Sequence, residues 1–398
     1  MQPAARAVGA VNGLTARWAA SADGDDAVFS APGVWPLLAL LCDAADERAG
    51  AGLEEAAGVR RGEAAHAARE LTAALAGVRG LRSATGLWAA EGLPLRPGWV
   101  AGLPADVLGR LTGDPVADGA ALDAWAADRT GGMIRSMPPV LSGRTRLLLA
   151  AAQAVRTRWL QGFRETRLAP SAGPWAGTAC AGLVRTTSLP AALGVAATGA
   201  GPVSVLRVLG DAGVDVHLLL GEEGMAPGAV LDGGVGVLTG RWTAVPGDRL
   251  PVGEAGPGVV VGSAAAVRPD AQLHALVVPF RLRAEHDLLK QEALAGLSAA
   301  LGGGGCFPGI SPRPLALDAA AQSAMAVFGA EGFETASVSA VGSRTGGAAA
   351  SARHVVRRVE AVYDRPFGFL TVHRASGLAL SAGWVNRPVP YAVPGRGV

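Results

Sequence analysis

Apolar positions recur every three or four residues through the first third of the chain. Ala7, Val11, Leu14 and Trp18 fall on one face and predict a first amphipathic helix. The apolar run at 34–42 predicts a helix over 35–45, and Ala65, Ala68, Leu71 and Leu75 predict another over 64–76. Residues 122–128 read as a helix closed by Thr130-Gly131-Gly132, because glycine takes the left-handed conformation that ends helices. Later the pattern changes to alternation. Residues 203–208, 214–220, 274–282, 367–372 and 378–385 predict strands. Residues 171–177 and 226–236 are loop-rich, and 233–240 (GGVGVLTG) reads as a glycine-rich turn between strands. With no repeat and no long linker, helices followed mainly by strands predict one α+β domain over 1–398.

One segment fits neither pattern. Residues 329–355 hold few large apolar side chains, no proline and no lysine, and are too long for an ordinary connection. Their first half still alternates. Phe333, Thr335, Ser337, Ser339 and Val341 share one face, and Glu334, Ala336, Val338 and Ala340 share the other. Small and β-branched residues at period two form a strand wherever a sheet offers a slot. On the residues alone, a disordered loop is the competing reading.

Composition narrows the function classes. The 398 residues are 50% apolar, enough for a large core, and the formal charge of +2 creates no field for nucleic acid or a membrane surface. Abundant Ala and Gly, with Lys290 as the only lysine, suggest a GC-rich coding background of a bacterial kind. Cys42, Cys180 and Cys306 lie far apart without a CxxC, so neither a disulfide framework nor zinc spacing is present. The longest apolar stretches, 34–42 and 147–155, are about ten residues, against the ~20 that a spanning helix needs. No secretory signal is read at the N-terminus, which points to the cytoplasm. Lys290 lies in LLKQEAL, so there is no P-loop, and neither HExxH nor GxSxG occurs. No nucleophile has a base beside it, so an enzyme is not the leading reading, and no metal or cofactor is expected.

Several segments together resemble the serpin family along nearly the whole chain. Val28-Phe29-Ser30 before the second helix, Gly86-Leu87-Trp88 with Gly92-Leu93-Pro94-Leu95, and Leu122-Asp123-Ala124-Trp125 through Thr130-Gly131-Gly132-Met133-Ile134 are similar to family segments. So are Trp159 with Phe163, Pro279-Phe280-Arg281-Leu282, and Gly309-Ile310-Ser311. Glu331-Gly332-Phe333-Glu334 stands at the family's hinge, and Asp364-Arg365-Pro366-Phe367 with Gly383-Trp384-Val385-Asn386 closes the series. All occur in the family's order.

The resemblance implies a single serpin domain with about three β-sheets, eight or nine helices and an exposed reactive loop over about 329–355. Such a loop is bait for a serine protease. Once cut, it inserts as a new strand into the central sheet and traps the acyl-enzyme, a strand-addition switch. The active chain is then held short of its most stable state, with room in that sheet for the loop. The hinge carries over as Glu331, Gly332, Phe333, Glu334, Thr335 and Ala336, with Gly332 as pivot. The family's count from the hinge places the scissile bond near Gly346-Gly347, whereas side-chain chemistry favours Arg344-Thr345. Counting back from Pro366 reaches Val355, with Arg353 nearby, because the loop is about nine residues longer than usual for that fold. Arg344 would imply a trypsin-like target, and Gly346 a subtilisin-like or elastase-like one. The chain is expected to act as a monomer without nucleic acid, membrane or cofactor. Many relatives work outside cells, so an extracellular site stays open.

Departures from the family pattern are informative. Phe333 replaces a small hinge residue, so it must find a pocket or slow insertion through overpacking. A non-inhibitory binding or chaperone-like protein of the same fold is therefore the alternative. The polar cluster where the sheet opens keeps Ser30, but Gly33, Ala151 and Gln322 replace Ser, Asn and His. Gln322 still donates and accepts, so a reduced network with Ser30 is expected. Trp159 reads equally as a gate at the top of the sheet and as a core aromatic. Arg353, His354, Arg357 and Arg358 read as a solvated edge strand rather than a polyanion site.

Overall fold

Ser30 starts the most deeply buried helix of the protein. In this computed structural model, which describes residues 5–138, 141–298, 305–333 and 353–391, the Ser30 hydroxyl accepts the Gly33 N–H at 3.2 Å and caps Ala31–Cys42. Every residue of that helix is buried, as its unbroken apolar sequence requires. The first helix, α1 (Ala5–Ala20), packs beside it through Ala7, Val11, Leu14 and Trp18, as the spacing predicts. The helix expected over 64–76 spans Ala64–Ala76. The one read at 122–128 is the end of a longer helix, α3 (Pro115–Thr130), where α2 denotes Ala31–Cys42. Asp114 caps α3, and Gly131 ends it at φ 63°.

Three sheets follow. The central one contains β1 (Leu81–Ala90), β2 (Leu108–Leu111), β3 (Leu147–Val155), β4 (Thr157–Arg158), β5 (Phe280–Asp287), β6 (Ala319–Phe328) and β7 (Gly332–Phe333). Its order is β2–β1–β3–β6–β5. β3 and β6 are parallel, paired from Leu148↔Ala319 to Ala154↔Met325, while β1 and β5 flank them antiparallel. Leu122 and Ala126 of α3 cover one face with Trp88, Leu148, Ala150 and Ala321, and the other face joins the main core. A seven-stranded sheet includes Ala27–Phe29, Leu378–Val385, Phe367–His373 and Val214–Gly221. A six-stranded sheet runs Gly253–Gly256, Val259–Ala266, His354–Val362, Gln272–Val277, Cys180–Thr187, Arg164–Leu168. No helix among the described residues is long and apolar enough to cross a membrane.

Four expectations need correction. The glycine-rich 233–240 is no turn between strands, because Gly233, Gly234 and Gly236 lie inside a helix, α4 (Pro227–Leu238). A Cβ on Gly234 would come within 2.2 Å of Leu219, and one on Gly236 within 2.3 Å of Trp242, so these glycines serve close packing. The strand expected at 274–282 is two strands in different sheets, Gln272–Val277 and β5, broken at Val278-Pro279. His354–Val362 is interior, not an edge. Finally, the central sheet has no vacant slot along its length. β3 and β6 satisfy each other's backbone groups, since buried N–H and C=O groups left apart would be orphaned. The sheet opens by one strand only at its top.

Candidate functional site

That opening is made by β7. After Phe328 the chain reverses through a tight turn in which the Gly329 N–H donates to the Gly332 carbonyl at 2.9 Å. Phe333 then pairs antiparallel with Phe328 on one side and with Thr157 of β4 on the other. β7 thus lies between β6 and the line of β3 continued by β4, pointing down between the parallel pair. A strand continuing from it would be antiparallel to both neighbours.

Glu331, Gly332 and Phe333 each have a physical reason for their place. Glu331 is exposed at the turn. Gly332 is buried, and a Cβ there would lie 2.5 Å from the Thr157 carbonyl oxygen, so close approach of two backbones requires glycine. Phe333 is fully buried. Its ring lies 6.4 Å from Phe280 and 6.2 Å from Phe369, in a cluster where Phe280 also stacks on Phe328 at 5.4 Å. Phe333 has its pocket, and it is filled before any further strand is added. Glu334, Thr335, Ala336, Arg344, Thr345, Gly346 and Gly347 lie outside the described residues.

Trp159 straps the turn. Its indole Nε1–H donates to the Gly329 carbonyl at 2.9 Å, its backbone N–H donates to the Glu331 carbonyl at 2.9 Å, and its ring packs on Phe328 at 5.0 Å. Trp159 is thus a buried core aromatic that is also bonded to the turn. The Phe163 N–H adds a bond to the Ala330 carbonyl at 2.8 Å. Arg185 lies over the Phe163 ring at 4.5 Å and donates to the Gln161 carbonyl. Burial pushes its guanidinium down to about 10.

Lower in the sheet, Gln322 clamps Ser30. Its Oε1 accepts the Ser30 N–H at 3.0 Å and its Nε2 donates to the Ser30 carbonyl at 2.7 Å. The expected network forms through the Ser30 backbone, while the Ser30 hydroxyl donates to the Leu380 carbonyl at 2.9 Å. Two members escaped the sequence reading. Gln153 on β3 donates to the same Leu380 carbonyl at 2.5 Å, and the one available signal was a single amide in the run LLLAAAQAV. His286, opposite Gln322 on β5, donates from Nε2 to the Val28 carbonyl at 2.8 Å. Burial holds its imidazole below the ordinary histidine range, and the bond to Val28 only partly opposes this. No metal-ligating cluster occurs among the described residues. The arrangement seats the two residues of β7 between β6 and β4.

No family model matches the sequence, and no curated protein matches it. Solved structures do. Native protease nexin-1, crystallised with heparin, is 17% identical with a TM-score of 0.70, over 96% of this chain and 99% of that one. Thyroxine-binding globulin in complex with thyroxine is 15% identical at 0.70, over 96% and 99%. Serpin48 of the insect Tenebrio molitor is 14% identical at 0.67, over 95% and 97%. These likenesses run the length of both partners, and with the three sheets described above they show that the chain has the serpin fold.

Proposed function

We propose that the chain is a suicide-substrate inhibitor of serine proteases, not an enzyme. The observation that carries this reading is β7, already seated as the first two residues of an antiparallel strand between the diverging tops of β3 and β6. On insertion in the same register, residues 334–342 would come opposite 327–319 of β6. Thr335, Ser337 and Ser339 then share the inner face with Phe333, opposite Ala326, Ala324 and Gln322. The residues on that stretch of β6 are mostly alanine, which leaves shallow, accommodating faces. Insertion exchanges one parallel ladder for two antiparallel ones, so backbone pairing increases.

In the reaction, the protease serine attacks the carbonyl carbon of Arg344. The C–N bond breaks, the new amine of Thr345 leaves with a proton, and an ester joins the chain to the enzyme. Insertion from β7 then drags the enzyme before water reaches the ester. Gly346-Gly347 is the second candidate bond and Arg353 the third. The partner is a serine protease, trypsin-like for Arg344 and subtilisin-like or elastase-like for Gly346.

Incubation with trypsin or subtilisin tests the reading on a denaturing gel. A boiling-resistant adduct, with mass spectrometry locating the cut, is the expected result. A second reading, a non-inhibitory binding protein, is favoured by the Gln322 clamp, which ties β6 to the Ser30 backbone at the start of α2. Cleavage without adduct and without a rise in melting temperature would select it.

A further inference from the structure

One face of the central sheet runs out into arginines. β1 and β3 are antiparallel neighbours, with Leu81 opposite Val155 and Arg82 opposite Ala154. Side chains alternate along a strand, so the face of β1 that carries Ala84 and Trp88 also carries Arg82. The face of β3 that carries Leu148, Ala150 and Ala152 leads likewise to Arg156, one residue past the strand. Farther along, Leu122 and Ala126 of α3 cover these apolar positions. Beyond the end of α3 the same face presents two exposed arginines.

Two more come from the flanks. Arg79 precedes Gly80, whose φ is +79°. The Gly80 carbonyl accepts the Arg156 N–H at 2.6 Å, and a Cβ on Gly80 would lie 2.0 Å from the Arg156 carbonyl oxygen, so glycine is needed to bring these segments together. Arg135 comes from the segment after α3. That segment is anchored by buried Ile134, whose N–H donates to the buried Thr130 hydroxyl at 2.9 Å. The Arg135 Nε–H donates to the Gly132 carbonyl at 3.3 Å.

Arg79, Arg82, Arg135 and Arg156 line one cavity of about 760 Å³, and none of the described residues lining it is Asp or Glu. The C-terminal ends of α3 and of the helix Ala64–Ala76 open on it. Each helix end carries about half a negative charge, so the pair offsets roughly one of the four positive charges. The whole chain carries only +2, so this concentration is local. Guanidinium groups offer paired N–H donors that match phosphate oxygens, and the volume suits a small ligand.

We infer that the cavity binds a compact multivalent phosphate, which bridges Arg135 after α3 to Arg82 and Arg156 on the sheet and so fastens the end of α3 down. The shared chemistry is a triphosphate chain, either free or as the tail of a nucleotide. Calorimetric titration of the intact protein with sodium tripolyphosphate, at physiological salt, tests the site. Saturable binding of one probe per chain is expected. Arg82→Ser combined with Arg135→Ser should weaken it at least about tenfold, through loss of charge-assisted hydrogen bonds. Arg268→Ser combined with Arg313→Ser removes the same charge outside the cavity and should change affinity less than about twofold, because salt screens exposed charges. Tighter binding of ATP than of tripolyphosphate would mark a nucleotide as the ligand, and equal or weaker binding a free polyphosphate; either upholds the site. Bound probe should also slow hydrogen exchange of the 133–135 amides, and unchanged exchange would overturn the fastening. Heat that does not saturate, or equal weakening by both double variants, would show diffuse charge attraction only and overturn the site. Neither measurement uses a protease or a cut chain, so the outcome is independent of strand insertion.

Discussion

Replacing Phe333 with alanine separates two accounts of that residue. In one, the bulky hinge side chain obstructs insertion. In the other, which the structure supports, it is already docked among Phe280, Phe328 and Phe369 and stays there when the rest of the strand follows. The ring is fully buried, so truncation removes its transfer free energy and leaves a cavity, together about 3–5 kcal/mol. A chain of 398 residues has an unfolding entropy near 0.8 kcal/mol per kelvin at ~2.1 cal/mol/K per residue, so the loss lowers Tm by about 4–6 °C. Because the pocket is common to both states, the native and the cleaved protein should fall by the same amount. Calorimetry before and after limited proteolysis measures this. A native Tm that does not move, or a shift confined to one state, would refute the reasoning. Faster insertion in the alanine variant would revive the obstruction account.

Other consequences follow from the same geometry. Gly332→Ala forces the Thr157 carbonyl away from the turn, so it should lower the denaturation midpoint and reduce adduct yield on gels more than any substitution at exposed Glu331. Gln322→Ala leaves the buried Ser30 N–H and carbonyl without their partner. At about 1–3 kcal/mol per orphaned group, the two together should cost on the order of 2–6 kcal/mol in urea unfolding. His286 is kept neutral by burial, so its unfolded form binds protons more readily. Its contribution to stability is complete above pH ~6.5 and is lost as pH falls below it. Urea midpoints measured across this range should decline toward acid, and His286→Gln should flatten that decline.

Legibility in the sequence tracked the physical origin of each element. Helix 64–76 was readable because one face alone is buried, which imposes the 3.6-residue period. β3 was not, because all nine of its residues are buried and no alternation survives. The glycines of α4 mislead because glycine there answers a neighbour's side chain, not a turn. Gly332 was singled out in the sequence, yet it has no left-handed backbone; contact with the Thr157 carbonyl explains the glycine. Ser30, Trp159 and Gln322 were singled out through the order of surrounding segments, and the structure shows their hydrogen bonds, whereas Gln153 and His286 join only after strands distant in sequence are paired. The interior position of His354–Val362 depends on a hairpin about ninety residues upstream and left no trace in its own arginine-rich pattern.

The central claim is that β7 seeds a strand between β3 and β6. Hydrogen exchange of the protein before and after cleavage of the 334–352 segment tests it most directly. Amides of residues 334–342 should become strongly protected on cleavage, while β3 and β6 remain protected throughout. If those nine residues exchange as fast after cleavage as before it, no strand has entered the sheet and the account is wrong.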